Sequence, residues 1–195
     1  MIITKTLTLV AAPEPVFKGT RIRIRTTAGS LAWGFAGATL ADAERAATID
    51  WGDGSAKERF ASDMANVVHA FPAAGEYTVA ISDDIGTFTL CGTGSESEFV
   101  TVYPVMVLGI VSDGEKWATL TQRALKGAAN MTETRLYGIA DIAGMPTNRA
   151  PFRDCAALTE IHLPAASEES ITRSAIWENT SGTLGAPNAT IYFDL

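Results

Sequence analysis

Short runs of alternating apolar and polar residues, cut at close intervals by glycine-containing turns, constrain the first hundred residues more than any other feature. In Thr20 to Thr27, Arg21, Arg23 and Arg25 alternate with Ile22 and Ile24. Only an extended strand turns that period of two into one solvated, charged face and one buried face. Similar β-type runs occupy Ile2 to Val10, Thr48 to Trp51, Tyr77 to Ile81, Thr87 to Leu90 and Phe99 to Tyr103. Gly29-Ser30, Gly52-Asp53-Gly54, Ala74-Gly75 and Gly92 to Ser97 read as the turns between them. Many short strands at such spacing predict an antiparallel sandwich or barrel. Ala38 to Ala47, rich in alanine and acids, fits either a helical turn or a loop.

After Tyr103-Pro104 the pattern changes, which places a domain boundary there and divides the chain into 1–104 and 105–195. Val105 to Val111 reads as a buried strand, and Trp117, Leu120, Ala124 and Leu125 give Glu115 to Ala128 a helical spacing. A short strand with a central aliphatic then recurs at Thr134 to Gly138, Thr159 to Leu163 and Ala189 to Phe193. Superposing Leu136, Ile161 and Ile191 gives offsets of 25 and 30 residues, and a step of 28 back from Leu136 reaches Leu108 as a fourth rung. Before each strand lies a turn-rich or helix-like piece, Ile171 to Trp177 among them. Such a unit cannot bury its apolar face alone, whereas stacked units form a parallel ladder with one continuous core. An array this short is expected to lean on the first half, or on a second subunit in a homo-oligomer, for its missing cap.

The densest local signal is Ile49-Asp50-Trp51-Gly52-Asp53-Gly54-Ser55, followed by His69-Ala70-Phe71 and Gly75 to Ile81. Ile49 and Trp51 share one strand face, Gly52-Asp53-Gly54 turns the chain, and Tyr77, Val79 and Ile81 repeat the alternation. These three pieces, in this order, resemble the PKD family: a Trp-containing strand ending in Gly-Asp-Gly, a His-x-Phe, and a Gly-x-Tyr-x-Val strand. The resemblance covers Lys18 to Tyr103 and implies an immunoglobulin-like β-sandwich of the sort that spaces or presents ligands on extracellular proteins. The long interval between Gly54 and His69 departs from the pattern and leaves the middle strands unassigned.

Phe152, Cys155, Leu158, Ile161, Leu163 and Pro164 fall on the places of the leucine-rich repeat of bacterial surface antigens, the BspA-like type, which the segment Ala150 to Pro164 resembles. The expected fold is therefore mainly β with some α, a PKD-like sandwich followed by a short leucine-rich-repeat solenoid with a parallel strand ladder. Cys155 becomes a buried ladder position, since free cysteine behaves as a small hydrophobe. Cys91 and Cys155, 64 residues apart, make no disulfide framework and no metal spacing. His162 alternates with Ile161 and Leu163 and so is expected on the outer face. With Tyr137 and Tyr192 at the equivalent places it forms a candidate recognition strip, or else the three are ordinary strand-formers on a half-exposed sheet.

Fifteen Lys+Arg against 22 Asp+Glu leave a net charge of −7, which argues against nucleic acid as a partner. No apolar run reaches the roughly 18–20 residues needed to span a bilayer. Met1 to Val10 lacks the compact apolar segment and cleavage site of a signal peptide, so either Met1 is a natural start or an export signal was removed. The chain has no Gly-x-Ser-x-Gly, no phosphate-cradling loop, no His-Glu-x-x-His and no Cys-x-x-Cys. Asp50, Asp53 and His69 have the residue types of an acid/base or metal set, and calcium would suit Asp50 or Asp53 with Asp83 and Asp84. Turn capping by Asp53 and strand closure by His69 account for the same residues more simply. No catalytic residue, metal or cofactor is expected. The expectation is a non-enzymatic adhesion module, at a cell surface or on a virus particle, taking a protein or a glycan. A phage tail or decoration protein is the alternative, and a glycan hydrolase a third.

Overall fold

The computed structural model describes residues 18–40, 42, 44–82, 85–91, 98–112, 119–120, 124–137, 141–142, 151–164 and 189–193. The expected strand over Ile2 to Val10, the turn at Gly92 to Ser97, Asp83-Asp84 and the segment Ile171 to Trp177 lie outside the described residues. In chain order the elements are β1 (Gly19–Thr26), β2 (Ala32–Leu40), β3 (Ala47–Asp50), β4 (Glu58–Phe60), β5 (Met64–Ala70), β6 (Gly75–Ser82) and β7 (Ile85–Thr89). They continue with α1 (Glu98–Thr101), a 3₁₀ turn at Pro104–Met106, β8 (Val107–Ser112), β9 (Thr119–Leu120), β10 (Glu133–Leu136), β11 (Asp141–Ile142), β12 (Glu160–Leu163) and β13 (Thr190–Phe193).

The protein is mainly β, and its largest sheet has eight strands in the order β13-β12-β10-β8-β1-β6-β3-β4. Strand β1 pairs antiparallel with β6 on one side and with β8 on the other, while β8, β10, β12 and β13 form a parallel ladder. A three-stranded antiparallel sheet, β5-β2-β7, supplies the second layer, and β9 and β11 form a parallel pair. The sheet therefore runs unbroken across Pro104, and the first strand of the ladder is seated on β1.

Alternation explains the packing. Ile22 and Ile24 of β1 are fully buried while Arg21, Arg23 and Arg25 are exposed. Trp33 and Phe35, two residues apart on β2, bring the smaller sheet onto that apolar face: Trp33 meets Trp51 edge-on at 6.4 Å, and Phe35 lies 5.1 Å from Phe88. The buried Trp33 indole donates to the Tyr103 carbonyl at 3.0 Å, which satisfies its polar atom. One apolar core extends from these rings through Val107 and Ile110 to Leu136, Ile161 and Leu163.

The ladder has a spacing finer than its strands reveal. Leu125, Ala128 and Met131 stand 27 residues before Phe152, Cys155 and Leu158, and all six are buried. Backbone bonds tie coil to coil, from Leu125 to the Pro151 carbonyl (3.1 Å), Gly127 to Arg153 (2.8 Å), Ala157 to Ala129 (3.1 Å) and Thr159 to Thr132 (2.9 Å). Gly127 and Asp154, also 27 apart, both adopt left-handed backbone, with φ of 80° and 66°. At Gly127 a side chain would press on Pro104, whereas aspartate, among the non-glycine residues most tolerant of this region, serves the next coil.

Three sequence-based expectations change. The helix over Glu115 to Ala128 is not formed in its described part: Thr119–Leu120 is strand, and Ala124 to Gly127 are bends and turns, with the Leu125 and Gly127 amides bonded to the next coil. The apolar spacing there reflects a solenoid turn packing inward rather than one helix face. Phe99 to Tyr103, expected as strand, follows a helical turn in which the Tyr103 amide bonds the Glu98 carbonyl and Phe99 packs edge-on against Tyr103 at 5.1 Å. That i, i+4 aromatic pair meets only on a turn of helix. Finally, Thr134, not Leu136, lies opposite Ile161 and Ile191, and opposite Ile110 rather than Leu108. Thr134 is fully buried, its hydroxyl donating to the Ile110 carbonyl at 3.1 Å, so a polar residue occupies the rung where an aliphatic was sought.

Trp51 is 1% exposed, so Trp51→Ala should cost about 3–5 kcal/mol in urea denaturation; a loss below about 1 kcal/mol would show that the ring is not a core element. Residues 105–195 expressed alone leave β8 without its antiparallel partner, and no cooperative melting transition is expected from them by calorimetry.

Candidate recognition face and the aspartate–histidine turn

Asp53 and His69 come together in a hydrogen bond, while Asp50 bonds other partners. Gly52, at φ 74°, turns the chain directly after Trp51, where any side chain would collide with the Thr78 carbonyl. That turn brings Asp53 under the end of β5, where His69 Nε2 donates to its Oδ2 at 2.7 Å. The Asp53 side chain is 3% exposed and that of His69 15%. The imidazole lies flat on Trp51, centroids 4.6 Å apart and planes within 7°, with Phe71 edge-on to both rings. Trp51 Nε1 donates to Glu58 at 3.0 Å, and the same carboxylate lies 3.9 Å from His69 Nδ1. The bond from His69, helped by the Ser55 hydroxyl and amide, holds the Asp53 carboxyl well below the usual carboxylate range. Asp50 instead accepts from the Gly52 amide at 3.0 Å and pairs with Lys57 at 3.1 Å, which lowers its pKa as well. Among the described residues no three His, Cys, Asp or Glu side chains are grouped to hold a metal ion.

The outer face of the eight-stranded sheet collects the other candidates. Register places Ala80, Arg21, Val111, Arg135, His162 and Tyr192 in one row across six strands. From Arg21 to Tyr192 that row crosses four strand steps, about 19 Å at the usual strand spacing. A second row runs Thr78, Arg23, Gly109, Glu133, Glu160 and Thr190. His162 and Tyr192 stack, with centroids 4.7 Å apart and planes within 15°. His162 is 8% exposed, more buried than an outer strand position implies, because the Tyr192 ring covers it, while Tyr192 keeps 39% of its surface exposed. His162 Nε2 donates to Glu160 at 3.3 Å. Tyr137 lies two residues beyond the row at the end of β10, its amide on the Ser112 carbonyl, and Arg135 takes the place expected for it. The two-residue shift follows from the buried Thr134. Aligning Leu125, Ala128 and Met131 with Phe152, Cys155 and Leu158 would have revealed it from the sequence.

Because Gly109 has no side chain, the second row holds a groove of about 290 Å³, lined by Arg21, Arg23, Thr78, Val111 and Glu133. Around it Arg25 pairs with Glu76 at 2.6 Å, which lowers the Glu76 pKa, and Arg135 lies 3.9 Å from Glu133. Cys155 is a buried ladder position: its thiol donates to the Leu125 carbonyl at 3.1 Å, and burial pushes its pKa up to about 12. Cys91 is likewise buried and forms no disulfide among the described residues.

The Asp53 pKa is depressed in the folded chain, so its contribution to stability is complete above the unfolded value of about 3.9 and is lost as pH falls toward the folded one. Asp53→Asn should cost about 1.5–3 kcal/mol at pH 7 and flatten the decline of stability below about pH 4, as read from urea midpoints against pH; equal acid limbs in the two proteins would contradict this. Comparison of the chain with protein-family models, curated proteins and solved structures found no match.

Proposed function

We propose that this chain is a non-enzymatic binding protein whose recognition surface is the outer face of the eight-stranded sheet. The observation that carries this reading is the row Arg21, Val111, Arg135, His162 and Tyr192, which sets basic and aromatic side chains at regular intervals over about 19 Å of rigid sheet. Arginine and tyrosine supply strong contacts at low entropic cost, and strands hold them more firmly than loops do. The Asp53–His69 pair has a structural part in this reading: its hydrogen bond and the Trp51 stack fix the turn, and a neighbouring backbone amide occupies the carboxylate as well.

The motif resemblances support the same assignment. Trp51 to Gly54, His69 to Phe71 and Gly75 to Val79 resemble a PKD domain, and Phe152 to Pro164 resemble a BspA-like leucine-rich repeat, both types found in surface-displayed proteins. The sandwich then acts as a stiff spacer and the ladder as the presented surface, at a cell surface or on a particle, with a glycan or a protein as ligand.

Screening the whole chain on a glycan array, with protein pull-down in parallel, tests the reading. A ligand whose capture falls at least tenfold with Tyr192→Ala, at unchanged melting temperature, supports it. Ligands that bind Tyr192→Ala as well as the parent chain overturn it.

A further inference from the structure

Resting on that recognition face, we infer that its ligand is an acidic saccharide, with a sugar carboxylate seated on Arg23 above Gly109 and further rings running along the row to Tyr192. The charges on the face are unequally engaged. Arg25 is paired with Glu76, and Arg135 is close to Glu133, whereas Arg23 feels the Glu76 charge at longer range but makes no ion pair among the described residues. Its guanidinium stands 4.0 Å from the point where a Gly109 side chain would begin, so it borders the groove with no side chain opposite it. Arg21 lines the same groove two residues along the same strand face. A planar carboxylate matches a guanidinium fork with two parallel hydrogen bonds.

The rest of the groove sets the class of ligand. Glu133 accepts hydrogen bonds and Thr78 both donates and accepts, which suits hydroxyl groups beside the carboxylate. Glu133 and Glu160, in the same row as Arg23, repel a run of phosphates and favour a singly charged group. Val111 is the one aliphatic side chain among the row residues between Arg21 and Tyr192, so the face lacks the desolvated apolar centre on which protein interfaces depend. Tyr192 offers an exposed aromatic ring to the C–H side of a sugar, an attraction that follows from the negative ring face. Gly109 lies three strand steps and two residues from Tyr192, about 16 Å, a span that several linked rings cover.

Calorimetric titration of the whole chain with trigalacturonate and its methyl ester, and with 3′-sialyllactose and lactose, tests this. Either acid should bind at least tenfold tighter than its neutral counterpart, and Arg23→Gln should remove that preference while leaving the melting temperature unchanged. Gly109→Val fills the groove with a residue that strands favour, and should weaken the acid at least tenfold. Its contacts there are ordinary, the Glu133 carbonyl being 3.7 Å from the new Cβ position. Lack of binding by both acids, equal binding of acid and neutral sugar, indifference to Arg23→Gln, or equal binding of a glutamate-rich peptide would each overturn the inference. A neutral sugar or a protein whose binding still requires Tyr192 would leave the recognition face standing and remove only its acidic ligand.

Discussion

The antiparallel pairing of β1 with β8 is the constraint on which the rest depends. Strand β1 is hydrogen-bonded along both edges, to β6 over its whole length and to β8 from Thr20 to Ile24. A parallel ladder cannot begin on an open edge without exposing unpaired amides and half of its first apolar rung. Here the edge of the sandwich supplies both. Thr20 donates to Ser112 at 3.1 Å within the buried interior, and Ile22 lies opposite Ile110 in the common core. From that seam the register passes to Thr134, Ile161 and Ile191, each strand fixed by the one before it.

The turn after Trp51 secures the other layer. A carboxylate almost removed from water is costly unless hydrogen-bonded, and Asp53 meets that cost with His69 and with the Ser55 amide. The imidazole so held becomes a flat surface for Trp51, which in turn meets Trp33 of the smaller sheet edge-on. One hydrogen bond thus positions the aromatic rings that join the sheets. Residue types that suit acid/base chemistry here also satisfy the hydrogen bonds of a buried turn.

The parts legible in the sequence were those where alternation and burial coincide. Ile22 and Ile24 against three arginines, and Tyr77 to Ile81, appear as strands close to their expected limits. Strand β2 is not legible in the sequence because Ala32 to Leu40 is rich in alanine and glycine: its fit comes from close sheet approach around Trp33 and Phe35, not from a run of β-forming residues. Strand β5 contains Asn66 at φ 51°, an irregularity that interrupts its period of two. In the ladder, the strand recurrence was readable but its register was not, since a threonine satisfied by the neighbouring carbonyl stands in the apolar column. The coil positions, which lack a polar exception, keep the spacing of 27 between the two described coils.

That register decides which chemistry the outer face presents. In a strand, fixing one residue inward fixes its neighbours outward, so burying Thr134 necessarily places Glu133 and Arg135 on the exposed side. Had Leu136 been the rung opposite Ile161, Tyr137 would have completed an aromatic column with His162 and Tyr192. With Thr134 inside, Arg135 joins them, Glu133 meets Gly109 and Glu160, and the column becomes charged at one end and aromatic at the other. A single buried hydroxyl, stabilised by one hydrogen bond to Ile110, therefore replaces an all-aromatic column with one that also presents charge.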